Sequence, residues 1–227
     1  MINSRIGPIF VRILFLVTLP LINIIHTALN NYRGNVNILR TYIDNIIPFE
    51  KIFIVPYLLW FFYFVSILVY FAIVDKKYYF RLLFSILVGN LLCFVVYYFY
   101  PTTVPRPDVI GNDILSYLVK LTYKSDNPFN CFPSVHVLNA LLASMYLFNY
   151  NKKIAVRSFS VIAFVLITLS TLFVKQHYIL DAVASSIIGV SMYVVFTSDY
   201  IWSTLYMKRM LYFFIPGLAK KDYAKVD

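Results

Sequence analysis

Long apolar runs separated by short polar stretches set the pattern of this chain. Six runs read as helices able to enter or cross a bilayer, approximately residues 9–29, 52–74, 82–100, 135–150, 158–174 and 178–195. A run of about 20 apolar residues spans the hydrocarbon core as a helix, because every backbone N–H and C=O must find its partner inside the segment. The fourth and fifth runs are shorter than the others. The sixth carries Asp181, which is costly against lipid and is therefore expected to face the protein interior. Between the first two runs, residues 30–51 place Ile38, Leu39, Tyr42, Ile46 and Ile47 at helical spacing. That fits either a helix on the membrane surface or an ordinary packed loop helix. Residues 101–133 are polar, with Pro101, Pro105 and Pro107 early on, and read as an ordered loop. No repeat or composition break divides the chain. The expected architecture is an all-α polytopic membrane helix bundle with about six transmembrane helices, one domain over residues 1–227.

Composition supports the same medium. Of 227 residues 61% are hydrophobic, 19% aromatic and only 13% charged, where soluble domains carry about a quarter charged residues. The net charge of +10 raises nucleic acid as a partner, but the basic residues flank apolar runs in short clusters, so none is expected. Of the 20 Lys and Arg, about 13 fall on the side that holds both termini and 7 on the other. The termini, including a basic tail at about 200–227, are therefore expected in the cytoplasm, and the plasma membrane is the expected location. The first run lacks a small-residue cleavage pattern and is followed by further spans, so it reads as a retained helix. Cys93 and Cys131 offer neither a disulfide framework nor metal-ligand spacing, so no metal and no cofactor is expected.

Three histidines are present. His26, alone in the first run, reads as a packed side chain. His136 follows Pro133, Ser134 and Val135 at the start of the fourth run. Ser134 suits a helix N-cap, and the free amides of the first turn, with the helix dipole, suit an anion such as phosphate. His177 stands four residues before Asp181, so on a helix the two share a face. A carboxylate bonded to one imidazole nitrogen leaves the other free to attack; the rival reading is a structural pair tying helices together. Arg106, just after the third run, is a two-pronged phosphate donor if it points inward, or a headgroup contact if it does not. Alternating spans bring Arg106, Ser134, His136, Lys175 and His177 to one membrane face, the extracytoplasmic one by the charge count.

The order Arg106-Pro107, then Pro133-Ser134-Val135-His136, then Ser170-x6-His177-x3-Asp181 resembles the type 2 phosphatidic acid phosphatase (PAP2) superfamily, over residues 99–181. The resemblance implies a membrane-lipid substrate and a metal-free reaction. In it His177 attacks phosphorus and forms a phosphohistidine, Asp181 orients His177, and His136 protonates the leaving oxygen. Arg106, Ser134 and the Val135 amide would hold the phosphate. Phe99, Thr171 and Val135 stand where the family often has Lys, Arg and Gly. These departures resemble the inositol phosphorylceramide synthase-like branch, and Lys175 could supply one missing charge. The implied activity is hydrolysis of a lipid phosphate or diphosphate. The alternatives are transfer of a phospho-headgroup to a hydroxyl acceptor, and a non-catalytic lipid-binding or transport protein.

Overall fold

The computed structural model describes residues 3–32 and 34–199. Among them are nine α-helices and no strand, only two isolated bridges that join Thr102 to Asn37 and Asn130. The helices are α1 (Asn3–Leu14), α2 (Thr18–Leu29), α3 (Tyr42–Ile46), α4 (Ile54–Val74), α5 (Lys76–Phe99), α6 (Ile114–Ser125), α7 (Val135–Tyr150), α8 (Ile154–Phe173) and α9 (Ile179–Thr197). The basic tail at about 200–227 lies outside the described residues.

Among the described residues, five helical stretches are long and apolar enough to cross a membrane: Ile9–Leu29, Lys51–Val74, Lys76–Phe99, Ile154–Phe173 and Ile179–Thr197. Large apolar side chains such as Phe10, Leu21, Phe62, Phe159 and Ile187 face outward, which fits a lipid-facing surface and not a watery one. The chain is an all-α integral membrane protein.

The fourth apolar run becomes α7, only 16 residues long. It is the hub of the bundle, packed against α4, α5, α8 and α9. Enclosed by other helices, it does not need to match the bilayer thickness. Close approach is made by glycine: a Cβ on Gly89 of α5 would come within 3.0 Å of the Leu138 side chain, and one on Gly189 of α9 within 3.0 Å of Leu141, the small-residue contact by which helices associate in lipid. Buried hydroxyls add cross-links, Tyr63 to Ser144 at 2.7 Å and Ser85 to Tyr146 at 2.9 Å.

Two segments differ from their sequence reading. Residues 101–133 contain a 12-residue helix, α6, capped by the Asp113 side chain, which accepts from Ser116 N–H at 3.2 Å. Its face of Leu115, Leu118 and Val119 packs on Ile54, Tyr57 and Val174; interleaved Lys120 and Lys124 dilute that stripe below what a hydropathy reading detects. Residues 30–51 form a helix over five positions only, α3, with Ile38, Tyr42 and Ile46 left exposed.

Candidate active site

At one end of the bundle the C-termini of α5 and α8 meet the N-termini of α7 and α9. Tyr97 on α5 donates its hydroxyl to Pro133 O, and Thr102 Oγ1 accepts from Phe132 N–H at 2.8 Å. The incoming loop is thereby fixed. Ser134 is the N-cap of α7, its Oγ accepting from Val137 N–H at 3.4 Å. His136 stands in the first turn, beside amides that have no partner within the helix.

The other half of the site is built by the way α8 stops. Lys175 N–H donates to Leu172 O at 3.2 Å and Gln176 N–H to Thr171 O at 3.0 Å, the paired bonds of a Schellman motif. Lys175 occupies its left-handed position, φ 55°, where glycine is the usual residue. Its ammonium reaches across to Ile47 O and Asp44 O. The reversal places His177, whose N–H also donates to Thr171 O at 3.1 Å.

His177 therefore lies in the turn before α9, not on a helix with Asp181 as the four-residue spacing implied. The two still meet. Asp181 Oδ2 folds back to accept from Tyr178 N–H at 2.8 Å and lies 3.3 Å from His177 Nδ1. Cys131 O lies 2.8 Å from the same nitrogen. Both neighbours are acceptors, so Nδ1 carries the proton and Nε2 presents its lone pair. Nε2 is 3.3 Å from His136 Nδ1. Trp60 and Tyr57 hold the His136 ring, with centroids at 4.3 and 4.8 Å.

Three residues the sequence reading left out converge here. Asp44, buried, accepts from Ile179 N–H at 2.9 Å through Oδ1 and from Thr41 N–H at 2.7 Å through Oδ2. It thus caps α9 from α3, 135 positions away in the chain. Only its place in the Thr41–Asp44 capping pattern could have flagged it. His26, read as a packing residue, lines the narrow cavity of the His136–His177 pair together with Asp126, Asn130 and Gln176. It is positioned there because Asn130 Nδ2 donates to His26 O at 2.9 Å and Asn30 Nδ2 to Asp126 at 2.7 Å. Gln176 was visible only as the neighbour of His177.

Arg106 and Lys175 take different places from the histidines. They line a neighbouring cavity of about 310 Å³ with Arg40 and Asp44. The Arg106 guanidinium donates to Tyr123 O at 2.9 Å, to Asp126 O at 2.7 Å and to Gln176 Oε1. It is linked to the histidine cavity through Gln176 and does not line it. A third cavity, about 630 Å³, runs from His26, Asp126 and His136 down between α2, α4, α5 and α7 past Ile22, Phe61, Phe64 and Phe94.

Burial lowers the pKa of the Lys175 ammonium, against the opposing field of Asp44. Burial, reinforced by Asp181, pushes the Cys131 thiol well up, so it stays protonated and is no rival nucleophile. Among the described residues no three His, Cys, Asp or Glu side chains cluster as metal ligands.

Removing the Asp44 carboxylate strands two part-buried N–H groups, those of Thr41 and Ile179. Asp44→Ala is expected to cost about 1–3 kcal/mol, read as a lower apparent melting temperature in detergent. An unchanged melting temperature would refute the capping role.

The geometry defines a class: a membrane helix bundle with a His–His–Asp constellation at one end, open to an apolar cavity. A family profile described as the PAP2 superfamily matches residues 38–195. The chain belongs to the PAP2 superfamily. Among solved structures, that of Aquifex aeolicus LpxE is similar at 19% identity, covering 78% of this chain and 93% of that one, with a TM-score of 0.48. No curated protein sequence matches the chain.

Proposed function

We propose that the chain is a membrane phosphatase acting on a lipid phosphate or diphosphate, with His177 as nucleophile. The observation that carries this reading is the pair of imidazoles 3.3 Å apart, with Asp181 behind one of them. His177 Nε2 attacks phosphorus as the bond to the leaving oxygen breaks, and His136 gives that oxygen its proton. The His177 Nδ1 proton stays between Asp181 and Cys131 O, stabilising the cation that forms. Water then attacks the phosphohistidine, losing its proton to His136, and free phosphate departs. Ser134, the Val135 amide and the α7 dipole gather charge at the phosphoryl oxygens, with Arg106 and Lys175 adding positive potential from the adjoining cavity. The lipid chain occupies the apolar cavity that begins at His136.

Purified protein in detergent is expected to release phosphate from at least one member of a panel spanning phosphatidic acid and prenyl diphosphates. Quenched reactions with 32P-labelled substrate should leave an acid-labile, base-stable label on the protein. A panel that yields no phosphate overturns the reading; label appearing in a new lipid in place of free phosphate points to an alcohol as the acceptor.

A further inference from the structure

The family resemblance leaves two cationic positions empty, at Phe99 and Thr171, and the structure places Arg106 outside the histidine cavity. A donor must still face the phosphoryl oxygens there, and one side chain is arranged to do so. Gln176 is 3% exposed and lines the narrow cavity with His136 and His177. Its Oε1 accepts from the Arg106 guanidinium. A guanidinium has only donors, so this contact fixes the orientation of the amide: oxygen toward Arg106, nitrogen on the other side. That nitrogen, Nε2, is buried and has no hydrogen-bond partner among the described residues. A buried amide N–H without an acceptor is costly, and native proteins rarely leave one so.

We propose that Gln176 is a catalytic residue whose Nε2 donates to a phosphoryl oxygen in the cavity that it lines with His136 and His177, and that Arg106 acts on the phosphate through it. The proposal rests on the phosphatase reading and extends it to a residue, next to His177 in the Lys175-Gln176-His177 element, for which the resemblance implies no role. The guanidinium polarises the amide: charge at Oε1 makes the Nε2 protons more acidic and strengthens the bond they donate. A neutral side chain so polarised supplies part of what a directly placed lysine or arginine would, in a low-dielectric site where a preorganised donor counts most.

Substitution separates this from a merely structural role. Gln176→Glu keeps an oxygen for Arg106, so a structural role predicts a fold at least as stable and activity near wild type. A phosphate donor predicts the opposite for activity, because Glu offers only acceptors and a negative charge. Turnover should fall about 10²–10³-fold, with the melting temperature held or raised. Gln176→Met, which removes the donor without adding charge, should also lose turnover, by about 10-fold or more. Binding is read independently as the rise in melting temperature produced by inorganic phosphate, present in the wild type and absent in both variants. Wild-type turnover in Gln176→Glu, a phosphate-induced rise retained in either variant, or no such rise in the wild type overturns the assignment. If no lipid is hydrolysed by the wild type yet phosphate stabilises it, and both variants lose that response, the phosphatase reading falls while Gln176 stands as an anion donor.

Discussion

Alanine at position 177 is expected to lower phosphate release by on the order of 10⁴-fold or more, with the bundle still folded. The loss follows from geometry. Nε2 of His177 is the one lone pair presented to the cavity by a ring whose far nitrogen is held by a carboxylate and a carbonyl. His136 cannot take over, because the turn that aims His177 belongs to the end of α8. The fold should survive because Asp181 keeps its bond from Tyr178 N–H and Cys131 O loses a single donor, a cost of about 1–2 kcal/mol. The readouts are phosphate release, the acid-labile 32P label, which should vanish, and the melting temperature, which should drop only slightly. Release at the wild-type rate would remove His177 as nucleophile.

His136→Ala should slow turnover by about 10²–10⁴-fold for substrates with a simple alkoxide leaving group, and by much less where the leaving group departs without a proton. The contrast arises because an acid matters in proportion to the basicity of the oxygen it protonates. Measuring the variant on a lipid monophosphate and on an aryl phosphate of low leaving-group pKa gives the comparison. Equal slowing on both would assign His136 to binding or packing, which its contacts with Trp60 and Tyr57 also serve. The two variants differ in a second respect. The phosphohistidine label disappears with His177, whereas with His136 replaced it should form slowly.

Much of this arrangement was legible in the sequence. Apolar runs announce membrane helices because the bilayer imposes one constraint, length of unbroken hydrophobicity, that needs no tertiary knowledge. Pro133 and Ser134 announce the start of α7 because capping is local. The meeting of His136 and His177 followed from the alternation of spans. What escaped depends on long-range contact. Nothing near Asp44 says that its carboxylate will cap α9, and nothing near Gln176 says that Arg106 will orient its amide. The left-handed Lys175 runs against the preference for glycine at such a position. Its side chain, anchored on Ile47 O and Asp44 O, joins the backbone bonds of the turn in holding it there. Spacing also misled once: His177 and Asp181 are four apart, as on a helix, yet they meet because a carboxylate folds back over a turn.

The same long-range wiring makes the His–His pair a reporter of assembly. His177 takes its tautomer from a carbonyl 46 positions earlier, and the helix behind it takes its cap from α3, 135 positions away. No fragment comprising α7 alone, or α8 with α9, carries a complete set of these partners. The site therefore exists only while distant parts of the polypeptide are docked together, and it is lost when they separate.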